Sequence, residues 1–177
     1  MKLHIGCGDK ILNGFTNVDI RPNEGVDVVT DIKDLSCFKN DNVSLIYCSH
    51  VLEHFPRHEY KNVLKNWFDV LSKGGVLRLA VPNIEAVIDH YHQFNDLEIL
   101  RGFLWGGQTY PQNYHYCGWD FKTLEKDLLS VGFDKVLKYD WRDTEHSNID
   151  DFSQCYLPHL DKENGKLMSL NVEAFKS

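Results

Sequence analysis

The sequence predicts an α/β fold, a doubly wound and mostly parallel sheet with helices on its faces. Three observations carry that reading. Strand-like and helix-like segments alternate along most of the chain. Glycines follow the first strand directly, in Leu3-His4-Ile5-Gly6-Cys7-Gly8. A second short strand then ends on an acid, Asp19.

The elements follow in order. Leu3–Ile5 is the first strand, Thr16–Ile20 the second, the β-branched run Val26–Asp31 the third and Val43–Ser49 the fourth. Pro56 precedes a helix over Glu59–Ser72, whose apolar residues Tyr60, Val63, Leu64, Trp67, Phe68 and Leu71 recur at three and four. Lys73-Gly74-Gly75 reads as its glycine stop, and Val76–Val81 as a fifth strand halted by Pro82. A second helix is expected from Ile84 to about Leu100, with Ile84, Val87, Ile88, Tyr91 and Leu97 inward. Residues 102–120 read as a loop, and Phe121–Ser130 as a third helix closed by Gly132. Lys135–Trp141 is a sixth strand, 142–166 a polar segment and Leu167–Phe175 the last strand. No helix is legible between the last two strands, so they are expected to pair as an antiparallel edge hairpin.

Length and composition bound the function. The 177 residues suit a single domain, 1–177, and 42% hydrophobic with 25% charged residues is ordinary globular usage. No apolar run approaches a membrane span, and the chain opens on a strand, so no signal peptide is expected. A net charge of −7 with scattered Lys and Arg argues against a nucleic-acid partner. The five cysteines are odd in number and lack CxxC spacing, which reads as reduced thiols in a cytoplasmic protein.

The glycines and the acid describe a pocket for a nucleoside-bearing cofactor. Glycine lets the backbone approach a ligand closely, and an acid at a strand tip accepts hydrogen bonds from a ribose diol. A dinucleotide site would need a third glycine where Ile11 stands and an acid about twenty residues on.

LHIGCG, NVDI, VVTDI, LIYCSHVLEHF, VLSKGGVLRLAVPN and FKTLEKDLLSVGF occur in one order across most of the chain. In that series the chain resembles the class I S-adenosylmethionine-dependent methyltransferases, and more narrowly the small bacterial ones found near polysaccharide genes. The resemblance implies a Rossmann-like sheet of seven strands with an antiparallel last strand, and S-adenosylmethionine as cofactor. It implies that Gly6, Cys7 and Gly8 pass beneath the methionine part, and that Asp19, with Ile20 after it, meets the ribose. Asp31 and Ile32 would meet the adenine. Ser49 and His50 would touch the methionine and open onto the methyl. The chain departs from the family where Lys10 replaces the usual third glycine, and in a Gly8–Asp19 interval with room only for a turn or a very short helix.

Methyl transfer from a sulfonium needs alignment above all, and a base where the acceptor is a hydroxyl. His50, His115 and His54 are the candidate bases. His50 and His54 would share a face on a helical turn. The same string spells HxxEH, a zinc-peptidase signature, but it directly follows a strand and Pro56 interrupts it, so no metal is expected. The loop aromatics Phe103, Trp105, Tyr110, Tyr114, Tyr116 and Trp119 suit a saccharide or small-molecule acceptor, or simply pack the loop onto the sheet. Arg142, Asp143, Glu145 and His146 are the expected opposite wall. Cys7 reads as a small residue between glycines, and His90 and His92 as surface residues. The expectation is therefore a methyltransferase acting on a small molecule or saccharide at oxygen. The alternatives are a non-catalytic cofactor-binding module and, further off, a zinc hydrolase. The loop aromatics are compatible with a homodimer.

Overall fold

The computed structural model describes all residues, 1–177. The strands are β1 (Lys2–Ile5), β2 (Thr16–Asp19), β3 (Val28–Val29), β4 (Val43–Ser49), β5 (Leu71–Pro82), β6 (Lys135–Lys138), β7 (Tyr156–Leu157), β8 (Lys166–Leu167) and β9 (Ser169–Phe175). The helices are α1 (Tyr60–Val70), α2 (Ile84–Phe94), α3 (Arg101–Trp105) and α4 (Phe121–Val131). The seven-stranded sheet has the order β3-β2-β1-β4-β5-β9-β6. β9 inserts between β5 and β6 and is antiparallel to both, and the other pairs are parallel. This is the expected seven-stranded sheet with an antiparallel last strand. β7 and β8 form a separate two-stranded ribbon.

Successive side chains on a strand point to opposite faces, and here the faces differ in chemistry. One presents Leu3, Ile5, Val18, Ile46, Cys48, Leu77, Leu79, Val81, Leu170, Val172 and Ala174 to an apolar core roofed by α1 and α4. Val63, Leu64, Trp67 and Val70 are the buried stripe of α1. Tyr60 joins the two helices by donating to Asp127 at 2.8 Å. The other face presents His4, Asn17, Tyr47, Arg78, Asn171 and Glu173. It is covered by the irregular chain from 139 to 155 instead of a helix. There Tyr47 donates to Asp151, Asn171 Nδ2 donates to the Ser153 carbonyl, and Arg78 pairs with Glu145 and Glu173.

Some element boundaries move. α1 stops at Val70, because Leu71 is already extended. Gly74, at φ +78°, turns the chain inside the span of β5 and does not cap the helix. α2 ends at Phe94, where Asn95 takes the left-handed conformation that closes a helix. Its buried residues are Ala86, Val87 and His90, while Ile88, Tyr91 and Leu97 are exposed. His90 is therefore a covered residue rather than a surface one. Part of the expected 102–120 loop is helical, as α3. α4 matches expectation: Asp120 caps it by accepting from the Thr123 N–H at 2.7 Å, and Gly132 ends it at φ +125°. No helix is long and apolar enough to cross a membrane.

Candidate active site

The carboxyl ends of β1, β2 and β4 open onto a cavity of about 990 Å³, near the upper end of the roughly 300–1,000 Å³ typical of small-molecule sites. Every nominated residue lines it: Gly6, Cys7, Gly8, Asp19, Ile20, Asp31, Ile32, Ser49, His50, His54 and His115. Position at the carboxyl ends of a parallel sheet is where α/β folds bind ligands.

The floor is the turn after β1. Gly6 sits at φ +65° and Gly8 at φ +58°. A Cβ on Gly6 would lie 2.5 Å from Val51 Cγ2, so only glycine keeps the passage open. No helix forms between β1 and β2; the chain turns back through Leu12 and Phe15, which are buried. Burial pushes the Cys7 thiol up to about 11, so it is a packing residue and not a nucleophile.

Asp19 is buried at the tip of β2. Its Oδ2 accepts from the Gly8 N–H at 2.8 Å, and its Oδ1 from the Arg21 N–H at 2.8 Å and from Arg21 Nε at 3.3 Å. A carboxylate offers about four acceptor sites, so backbone donors fix it while leaving room for ligand hydroxyls. The Arg21 side chain is half exposed and its contact is of the weak, exchangeable kind. Asp31 is exposed and holds the Lys33 N–H at 3.0 Å. Ile32 is anchored by its carbonyl, which accepts from Trp67 Nε1 at 2.7 Å.

The end of β4 brings the histidines together. His50 adopts φ +52°, uncommon for a non-glycine residue. The next residues form one 3-10 turn, Leu52–His54, not the helix a zinc peptidase needs. His115 arrives from the loop after α3, which is tied down where the Tyr116 N–H donates to the Glu53 carbonyl at 2.8 Å.

Hydrogen-bond chemistry fixes the tautomers. His54 Nδ1 lies 3.1 Å from the Tyr114 carbonyl and His115 Nδ1 lies 2.9 Å from the Phe103 carbonyl. A carbonyl only accepts, so each Nδ1 carries the proton and each Nε2 presents a lone pair. Ser169 Oγ donates to Asn171 Oδ1 at 2.8 Å and therefore accepts from His50 Nε2 at 3.0 Å. That leaves the His50 Nδ1 lone pair 3.4 Å from Glu53 Oε1. His115 Nε2 is 4.0 Å from the same oxygen.

Glu53 is wholly buried, and neither of its carboxyl oxygens has a hydrogen-bond partner. Burial pushes it up to about 8. Burial likewise depresses His50, to about 3, and lowers His54 and His115. The His50–Glu53 contact is thus not an ion pair at neutral pH.

The aromatic loop divides. Tyr110 and Tyr116 line the cavity, with Gln112 and Asn113 between them. Trp119 does not; it is buried and donates to Asp127 at 3.1 Å. The expected opposite wall is displaced. Arg142 is held by Asp140 and Tyr156, Glu145 by Lys2 and Arg78, and His146 is buried against the Tyr47 ring. Asp151, Phe152 and Cys155 stand there instead. Phe152 places its ring 5.3 Å from that of His50. No periodic signal marks it in sequence, whereas Glu53 is visible as the acid of HxxEH.

Comparison with known proteins agrees with this geometry. Residues 3–79 match the family model described as a methyltransferase domain. An S-adenosylmethionine-dependent methyltransferase from Archaeoglobus fulgidus superposes with a TM-score of 0.58 at 18% identity, over 99% of this chain and 85% of that one. One from Thermotoga maritima gives 0.58 at 14%, over 99% and 82%. Human N-acetylserotonin methyltransferase, solved with S-adenosylmethionine, gives 0.56 at 10%, over 99% and 47%. No curated protein sequence matches the chain. The chain therefore has the fold of the S-adenosylmethionine-dependent methyltransferases, and its first part, residues 3–79, matches a methyltransferase domain.

The cavity has the chemistry that S-adenosylmethionine would need. The glycine passage, the fixed Asp19 carboxylate and the unpartnered buried Ser49 Oγ are, respectively, a close backbone approach, an acceptor for hydroxyls and a free polar group.

Proposed function

We propose that the protein methylates an oxygen of a small-molecule or saccharide acceptor. Gly6, Cys7 and Gly8 would carry the methionine part of the cofactor, Asp19 and Ile20 the ribose, Asp31 and Ile32 the adenine, and Ser49 and His50 the end nearest the methyl. When bound, S-adenosylmethionine supplies a methyl group on a sulfonium, already activated for transfer.

The carrying observation is that the lone pairs of His50 and His115 face Glu53, with the His54 ring beside that of His115, in the same cavity as the glycine turn. An acceptor lying there meets imidazole lone pairs able to take a hydroxyl proton. An amine acceptor, cationic at neutral pH, would need to shed a proton before reacting at all. Tyr110, Tyr116, Gln112 and Asn113 give the outer wall an aromatic and amide character suited to a sugar ring. His115 and His54 present Nε2 as a lone pair, so they are the better candidate bases; the His50 Nδ1 lone pair is turned toward the buried Glu53.

The test is methyl transfer from isotopically labelled cofactor to matched hydroxyl and amine acceptors, including mono- and oligosaccharides. Turnover of hydroxyl compounds, reduced by about 10²–10⁴ in His115→Ala, is the expected result. Turnover confined to amines overturns the oxygen assignment. Cofactor binding without turnover of any acceptor supports the non-catalytic module instead.

A further inference from the structure

Glu53, His54 and His115 offer ligand atoms that all lie within 4.8 Å of one another. The geometry points to a binding site for a divalent first-row transition cation at these three residues, with His50 Nδ1 beside them.

The first argument is the unbalanced hydrogen-bond count. Both Glu53 oxygens are buried without a donor, and His50 Nδ1 and His115 Nε2 face one of them as lone pairs by the tautomers fixed above. Buried acceptors without partners are costly and call for an explanation. A single proton on Glu53 can serve only one of these lone pairs, and an ionised Glu53 serves none, so acceptors are left over in either state. A cation satisfies all of them at once.

The second argument is the outer ring of contacts. Histidines that ligate metals hold their other ring N–H on a carbonyl or carboxylate. His54 does so on the Tyr114 carbonyl and His115 on the Phe103 carbonyl. His50 is held similarly, through Ser169 and Asn171. Each ring is thereby held in one tautomer, and those of His50 and His115 turn a lone pair toward Glu53.

The spacing also suits the chemistry. Ligands about 2.0–2.1 Å from a tetrahedral ion stand about 3.4 Å apart. The Glu53 oxygen is 3.4 Å from His50 Nδ1 and 4.0 Å from His115 Nε2, within reach of a small side-chain rotation. Imidazole with one carboxylate favours zinc, cobalt, nickel, iron or manganese over magnesium and calcium, which prefer oxygen. Two imidazoles and a carboxylate leave coordination positions open toward the cavity. If the proposed oxygen methylation holds, on which this part rests, the acceptor class is narrowed to molecules with two adjacent oxygen donors, such as a diol or a hydroxy acid.

The test is a titration of tag-free, chelator-treated protein with Co²⁺, read by visible absorption and by calorimetry, with Zn²⁺ as competitor. S-adenosylhomocysteine is titrated in parallel into the same metal-free protein. One equivalent of Co²⁺ bound, displaced by Zn²⁺, is the expected result. Glu53→Gln and His115→Ala should weaken it by more than roughly 100-fold, beyond what losing an outer contact costs. The exposed His92→Ala should leave it unchanged. If Glu53→Gln does not fold, His54→Gln carries the same expectation. Folded protein that binds S-adenosylhomocysteine but not Co²⁺ overturns the cation site while leaving the cofactor reading intact. Co²⁺ binding without S-adenosylhomocysteine binding does the reverse. Undiminished Co²⁺ binding in the variants, or binding of Mg²⁺ and Ca²⁺ alone, overturns the assignment to these residues.

Discussion

On β5, Leu77, Leu79 and Val81 point into the apolar core, while Arg78, one residue away, points to Glu145 and Glu173. The same alternation recurs on β1, where His4 stands between Leu3 and Ile5, and on β9, where Asn171 stands between Leu170 and Val172. The roofs differ accordingly. Helices cover the apolar face, because a helix satisfies its own backbone and needs only an apolar stripe to dock. Irregular chain covers the polar face, because its free carbonyls serve buried donors: Ser153 takes Asn171, and Ser147 and Ile149 take Gln154. The apolar face holds the fold together. The polar face extends without a break into the site, through Asn171, Ser169 and His50.

The largest effect that would sharpen this contrast is on the apolar side. Trp67 is fully buried and anchors Ile32, so Trp67→Ala should cost about 3–5 kcal/mol in urea unfolding. A loss below that range would mean the helical roof is not the main source of stability.

Next comes acid sensitivity of the polar face. Burial lowers His4 from 6.5 to about 4, against the raising effects of Asn17, Asp151 and Asp19, with His146 nearby acting in the same direction as burial. The unfolded imidazole takes up its proton near pH 6.5 and the folded one only near pH 4. Stability attributable to His4 is therefore complete above pH 6.5 and lost as pH falls toward 4, by up to about 3 kcal/mol. Urea midpoints measured between pH 8 and 4.5 should show this, and His4→Gln should flatten the slope below pH 6.5. An unchanged slope in the variant would assign the acid sensitivity elsewhere.

Tyr47→Phe should cost about 1–3 kcal/mol, by leaving Asp151 without its hydroxyl donor. A loss equal to that of Trp67→Ala would erase the distinction between the faces. Ser169→Ala should cost least, about 0.5–1.5 kcal/mol, yet it frees His50 Nε2. Its methyl-transfer rate should fall with little change in the urea midpoint; a change in stability alone would make the Ser169 link purely structural.

Legibility in the sequence follows the same division. The apolar face is written in periodicity, so the strands, α1 and α4 and the antiparallel last strand could be read from Val76–Val81, Tyr60–Leu71 and Leu167–Phe175. That the nominated glycines and Asp19 share one cavity was legible because glycine at positive φ and an acid at a strand tip are local requirements. The acceptor side was not. Glu145 and His146 look like solvent-facing polar residues in sequence, yet tertiary partners draw them onto the sheet. Phe152 reaches the cavity through chain with no period. The glycines after α1 lie next to its end, but the β5 turn uses them. Asn95 ended α2 early because a single left-handed residue outweighs the apolar pattern beyond it.

The most direct measurement is calorimetric titration of the protein with S-adenosylhomocysteine, repeated on Asp19→Ala and on Gly6→Ala. Saturable binding by the unaltered chain, lost in both folded variants, is the expected result. It would establish the polar end of the sheet as the cofactor site. Absence of binding by the folded chain, or binding undiminished in Asp19→Ala, would contradict that placement.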